Sequence, residues 1–173
     1  TMDVFVEQIV RKKFGPKDYL VVLGCILGGC LVIYLSIFFL TQIFVFVIAG
    51  VCFGAYYLIT SRNLEFEYSV TNGDLTIDKI INRRSRKRIL SLDCKQVEAI
   101  GEYKPQDHAN KHYDKKIVTS VYDDGRNAWY LDLRHPKHGH IIVIFSPNER
   151  VLESVQSFIP RQVAFEAGLT GKH

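Results

Sequence analysis

Two groups of residues in this sequence have types and spacings that can do chemistry. Arg83, Arg84, Arg86, Lys87 and Arg88 put five positive charges into six positions of the stretch INRRSRKRIL. A run like that can meet phosphate, whether in a nucleic acid or at a lipid surface. The second group is imidazole: His108 and His112 stand four residues apart, and His135, His138 and His140 crowd the stretch HPKHGH. Imidazoles so spaced can share zinc, or titrate near neutral pH. No cysteine pair or HExxH accompanies them, so the sequence predicts no metal site. It also lacks a Gly-rich phosphate loop, a nucleophile elbow and a paired-carboxylate signature. The expectation is a protein that is not an enzyme, with no catalytic residues and no cofactor.

The elements that must position these residues divide the 173-residue chain sharply. From Tyr19 to Ile59 there is no charged side chain. This run is about twice the roughly 20 residues one membrane crossing needs. It predicts a transmembrane helical hairpin over residues 18–61, with helices at about 19–40 and 43–60. Arg11, Lys12, Lys13 and Lys17 precede it, Arg62 follows it, and the turn at Thr41-Gln42 carries no charge. By the positive-inside rule the chain is a multi-pass protein of the cell membrane with N- and C-termini cytoplasmic. Each helix holds a GxxxG motif, Gly24 and Gly28 in one, Gly50 and Gly54 in the other. Their matched depth predicts helix packing within the hairpin; the alternative is self-association. Three of the four cysteines lie in the apolar run, leaving Cys94 without a partner and implying a reducing compartment.

Before the hairpin, Met2, Phe5, Val6, Ile9 and Val10 fall at helical spacing, which predicts an amphipathic helix over residues 1–17. After it, Leu64, Phe66, Tyr68 and Val70 alternate with polar residues as a half-buried strand does. Asn72-Gly73 signals a tight hairpin, with a return strand from Leu75 to Ile81. Further strands are expected at about 88–92, 97–103, 117–122, 128–134 and 140–145, making seven in antiparallel series. Ser146-Pro147-Asn148-Glu149 then reads as a capping box with Ser146 at the N-cap. Val151, Leu152, Val155, Phe158 and Ile159 give the helix that follows one apolar face, and Pro160 ends it.

The strand series closed by IFSPNERVLESVQSFIP resembles the bacterial pleckstrin-homology-like domain, an all-β fold of two sheets with a C-terminal capping helix. The opening MDVFVEQIVRKKFGPKDYL, with two membrane helices before the domain, resembles a family of small membrane proteins of Gram-positive bacteria. The resemblance covers residues 62–160 as a cytoplasmic domain and leaves 161–173 as a tail. It brings no catalytic residues. In lipid-binding relatives the first hairpin loop holds the headgroup ligands; here that loop, Thr71-Asn72-Gly73-Asp74, has no base.

Strict strand alternation places the loops at 82–87, 104–116 and 135–139 at the membrane end of the domain. Arg83, Arg84, Arg86, Lys87, Arg88, Lys111, Lys115, Lys116 and Lys137 are then lipid-proximal. The net charge of +4 is small and no stacking platform accompanies the bases, so no nucleic-acid partner is expected. Two functions remain: a membrane-anchored interaction or scaffold module with a protein partner, or a sensor of anionic lipid headgroups.

Overall fold

The computed structural model describes residues 5–166. Met2 and Asp3 of the expected N-terminal helix, and 167–173 of the expected tail, lie outside them. The chain forms two compact units, residues 14–64 and a second built from 1–13 together with 65–173.

The first correction concerns the N-terminus. Phe5–Arg11 is not a helix but a strand, β1, paired antiparallel with β2 (Leu64–Thr71) from Phe5↔Thr71 to Arg11↔Glu65. Val6, Gln8 and Val10 share one face, while Phe5, Glu7, Ile9 and Arg11 lie on the other. Of the residues that suggested helical spacing, Phe5 and Ile9 are exposed while Val10 is buried on the opposite face. The domain therefore begins before the helical segment, and the expected boundary at residue 62 cuts off one of its strands.

The first sheet continues through β3 (Asp74–Ile81) and β4 (Ser85–Asp93) in the order β1-β2-β3-β4. The turn between β2 and β3 is the one Asn72-Gly73 predicts. Both residues have positive φ, 50° and 88°, and a side chain at Gly73 would also strike the Phe158 ring at 2.9 Å. One 3₁₀ turn at Cys94–Gln96 leads to the second sheet, ordered β5-β7-β8-β6. Its strands are β5 (Val97–Glu102), β6 (Lys115–Thr119), β7 (Trp129–His135) and β8 (Gly139–Phe145). Among the described residues there are thus eight strands rather than seven, and β6 runs parallel to β8. The short helix α3 (Pro105–His108) precedes β6; α4 (Glu149–Phe158) and α5 (Arg161–Glu166) finish the chain.

The core takes Tyr68, Val70, Leu75 and Ile77 from one sheet, Leu131, Leu133, Ile141, Val143 and Phe145 from the other, and Val151 and Val155 from α4. Tyr68 is its polar exception. Its hydroxyl donates to the Thr119 carbonyl and accepts from Ser146 N at 3.1 Å, so a buried donor and acceptor are both satisfied. Burial pushes this phenol up to about 12, which keeps it a donor at neutral pH. Ser146 is consequently not the N-cap of α4. Its Oγ accepts from Val121 N at 3.1 Å, and Asn148 caps the helix by accepting from Val151 N at 2.9 Å.

The other unit holds α1 (Pro16–Phe39) and α2 (Phe44–Thr60), which pack on each other across a four-residue connection. α1 is long and apolar enough to cross a membrane; α2, at 17 residues, is shorter. Pro16 opens α1 at a position where its missing N–H costs nothing. The Asp18 carboxylate accepts from Gly15 N at 3.0 Å and from Arg62 at 2.6 Å, joining the start of α1 to the residues after α2. The GxxxG glycines do not make the helix contact. A Cβ at Gly24, Gly28, Gly50 or Gly54 would meet nothing within 4 Å. At Gly29 it would lie 3.0 Å from Val51 Cγ1, so Gly29 is the glycine that the close approach requires.

Two outcomes are expected. Gly29→Leu should destabilise the helix pair by about 1–3 kcal/mol through overpacking, and Gly28→Leu should leave it unchanged, read as thermal unfolding in detergent. Replacing residues 14–63 by an Asn-Gly turn should give a folded soluble domain, because Lys13 and Leu64 flank adjacent antiparallel strands. Residues 62–160 alone should fail to fold, which amide-proton dispersion in NMR spectra would show.

Candidate functional site

The basic run is mostly strand. Only Asn82–Arg84 forms the turn, with Asn82 and Arg83 at φ 46° and 56°, and β4 starts at Ser85. The β3–β4 register shifts between Ile77↔Leu90 and Asp78↔Arg88, so Ile89 is the extra residue of a bulge and packs against the core. After the bulge, Arg86 and Arg88 share a face with Asp78 and Glu67. Arg86 reaches Glu67 at 2.6 Å, Arg88 reaches Asp78 at 3.2 Å, and Arg83 reaches Glu65 at 3.5 Å. Arg83, Arg86 and Arg88 are thus engaged by carboxylates of the same sheet. Burial and a hydrogen bond from Glu7 raise the Glu67 carboxyl above its ordinary range, against the pull of Arg86. An open cleft of about 280 Å³ remains, lined by Glu65, Ile80, Arg83, Arg84, Ser85 and Arg86.

The nine residues expected near lipid do not form one surface. Because β6 is parallel to β8, the chain from Tyr103 to Asp114 cannot be a loop at one end of the sheet. It crosses the outer face as a strap. Lys111 lies on this strap. Lys115 begins β6 opposite Ile141, beside the β7–β8 turn that holds Lys137. The other end of β6 runs on to Val121, whose carbonyl accepts from Lys13 N at 2.8 Å. Lys13 follows Arg11, the partner of Glu65, and Glu65 binds Arg83. The Arg83 group therefore sits towards the far end of β6 from Lys115, a separation on the order of 15 Å from the strand rise.

Under the strap lies a second small core of Tyr103, Ala128, Ile142 and Ile144, with Tyr113, Val118 and Tyr130 packed against it. His108 is buried there. Its ring stacks on Tyr103 and meets Tyr130 edge-on, with centroids 5.6 and 4.3 Å apart. A polar chain runs through it: His108 Nδ1 to the Tyr113 hydroxyl at 3.1 Å, that hydroxyl to Asp132 at 3.4 Å, and His140 Nε2 to Asp132 at 2.5 Å. Burial, then Lys111, lowers the His108 imidazole below its ordinary value. Burial and Asp132 push Tyr113 up to about 12.

His108 and His112 are not a helical pair, since α3 stops at His108 and His112 is exposed. Glu98, Asp132 and His140 each place one ligand atom within 4.8 Å of the others, a trio the sequence reading missed. Its members come from β5, β7 and β8, so strand pairing was the only signal for it. Two hold partners outside the trio already: Asp132 accepts from the Tyr113 hydroxyl at 3.4 Å, and Glu98 lies 3.5 Å from Arg134.

The sheet edges differ in cover. β1 meets α4, and Gln8 bonds both Ser146 O and Asn148 N. β5 meets α5. β6 leads to Val121 and its bond with Lys13. Along β4, His135 Nε2 meets Ser91 O at 2.8 Å, but residues 85–88 are exposed, and Arg86, Lys87 and Arg88 among them are basic.

No curated protein and no solved structure matches the chain. A family model does match, over residues 2–165, which include β1, both apolar helices, all eight strands and α4. The chain has two four-stranded sheets and a helix that follows the last strand, and it belongs to the bacterial PH-like domain family (DUF6106).

Proposed function

We propose that this protein is a membrane-anchored, non-enzymatic interaction module whose cytoplasmic PH-like domain receives an extended protein segment along β4. The observation that carries the reading is the uneven cover of the first sheet's two edges: α4 meets β1, whereas residues 85–88 of β4 are exposed. The open stretch of β4 offers backbone donors and acceptors to an added strand. Exposed Arg84, Arg86, Lys87 and Arg88 on and beside it favour an acidic partner.

The anchor in this proposal is the α1–α2 hairpin, crossing the bilayer twice. Leu20, Leu27, Leu31, Phe39, Phe46 and Phe53 are among its exposed side chains, more apolar surface than a water-facing helix pair tolerates. The lysine and arginine bias puts both ends in the cytoplasm. One observation favours a second reading, a sensor of anionic headgroups: the open cleft that Arg83, Arg84 and Arg86 line. The carboxylates of Glu65 and Glu67 beside those bases weaken it, since they compete for the same charges.

Topology can be read by thiol labelling, but not at Cys94, which is fully buried with its thiol pushed up to about 12. Glu153→Cys, exposed on α4, should react with an impermeant reagent only after lysis; reaction in intact cells would overturn the topology. For the partner, a photo-crosslinking residue at position 87 should capture a discrete protein in intact membranes, whereas one at position 137 should not. Equal capture at both positions sinks the β4 reading, and capture of lipid at 87 selects the headgroup reading.

A further inference from the structure

The strap is fastened at both ends by backbone bonds. Tyr103 N donates to Ala128 O at 2.8 Å, and Asp114 N donates to His140 O at 2.7 Å. Between those ends, residues 104–112 are all exposed except His108, which is buried. Its ring packs on Tyr103 and Tyr130 beside the small core of Tyr103, Ala128, Ile142 and Ile144. One side chain thus holds down the middle of the strap, and it is one that can gain a charge near neutral pH. A leucine or phenylalanine there would anchor without that condition.

The neutral ring suits the site and the charged ring does not. With its single proton on Nδ1, His108 donates to the Tyr113 hydroxyl at 3.1 Å, whose own proton goes to Asp132. Nε2 is then a bare nitrogen, buried and without a hydrogen-bond partner among the described residues. An imidazolium carries a proton on both nitrogens, so it would bury a charged N–H that has no acceptor. Lys111 on the strap and Lys116 on β6 also oppose a proton, while Asp107 on the strap and Asp132 on β7 favour it. Asp132 is shared, since Tyr113 and His140 donate to it as well. The Tyr103 face can attract a cation, but burial is the largest influence on this ring and acts against the charge.

We propose that His108 is a pH-sensitive latch: the neutral ring holds residues 104–112 against the second sheet, and its protonation releases them and uncovers Tyr103, Ala128, Ile142 and Ile144. A released ring takes its proton at about the ordinary imidazole value of 6.5, a latched ring only at lower pH. The latch is therefore at full strength above about pH 6.5 and is lost as pH falls through the window beneath it. Inside that window the released fraction rises about tenfold per pH unit. A proton on His140 acts the other way, because it strengthens the bond to Asp132. The latch is on the second sheet, so it stands or falls separately from an edge partner on β4.

The test uses the full chain in detergent. Hydrogen exchange at the amides of Asp107 and Lys111, which bond to Lys104 O at 3.0 Å and His108 O at 3.2 Å, reads the strap. A turn this short has no stability of its own once released. Amides of β3 read the whole domain. Expressed as protection relative to the unfolded-chain rate at the same pH, the strap amides should lose about tenfold per unit below about pH 6.5, with β3 unchanged. The ¹⁵N shifts of the His108 ring should titrate over the same range. His108→Phe keeps a flat ring without the titrating group, so its strap should be protected equally at about pH 7.5 and about pH 5, on either side of the ordinary imidazole value. The proposal is overturned if the His108 ring takes up its proton while the strap amides stay protected. It is equally overturned if His108→Phe loses protection with the pH dependence of the wild type. Should His108→Phe fail to hold the strap at neutral pH, the wild-type comparison of ring titration with strap release decides alone.

Discussion

The pairing of β1 with β2 is the constraint on which the rest depends. Two strands that lie side by side, Arg11 opposite Glu65, are separated in sequence by the whole apolar segment. Adjacent antiparallel strands stand about 5 Å apart, so the chain must leave and return almost at one point. A helical hairpin is a segment that meets this condition: both its ends fall on the same side, and all its backbone groups bond internally. Asp18 and Arg62 close the base of the loop, with an ion pair whose carboxylate is buried. Removing either partner would leave the other charge poorly solvated, so the pair resists separation more than an exposed one would.

Inside the domain the same economy governs the polar groups. Tyr68 ties β2 to the end of β6 and to the start of the β8–α4 connection through one hydroxyl. Gln8 does the corresponding work from β1, bonding Ser146 O and Asn148 N with its two amide atoms. The β8–α4 connection is therefore held by side chains from β1 and β2. A β1 lost by truncation would leave these backbone groups unpaired as well as uncovering Phe66 and Tyr68.

This also explains what could and could not be read beforehand. The Asn72-Gly73 turn, the strand alternation around Tyr68 and the apolar face of α4 were legible because their causes are local. β1 was not. Its inward Gln8 breaks the apolar alternation for the sake of a helix start some 140 residues away, and its outward Phe5 and Ile9 supply a false helical period. The cap of α4 was misread for a related reason: Ser146 is used by Val121 instead. The glycine motifs suggested a contact that Gly29 makes, because spacing cannot say which face of a helix meets its neighbour. Among the candidate site residues, the bases were visible as a group but their carboxylate partners were not. Glu65, Glu67 and Asp78 reach them only through sheet register and a bulge.

The bulge at Ile89 has a further effect on how β4 works. Without it, strict alternation would turn Arg88 and Arg86 towards the side that Leu90 and Leu92 bury. The extra residue lets Ile89 join the core and sends both arginines to the acidic outer face. Ion pairs then hold their guanidinium groups across the sheet, beside the edge but not over it. A charged edge ordinarily deters added strands. Here part of that charge is already balanced by Glu67 and Asp78, so an incoming acidic segment would meet backbone groups and a residual positive field rather than five free cations. The same balance weakens the pull on a lipid surface, which depends on unpaired charge within about a Debye length. One bulge thus shifts the basic run away from general attraction to anions and towards a shaped edge.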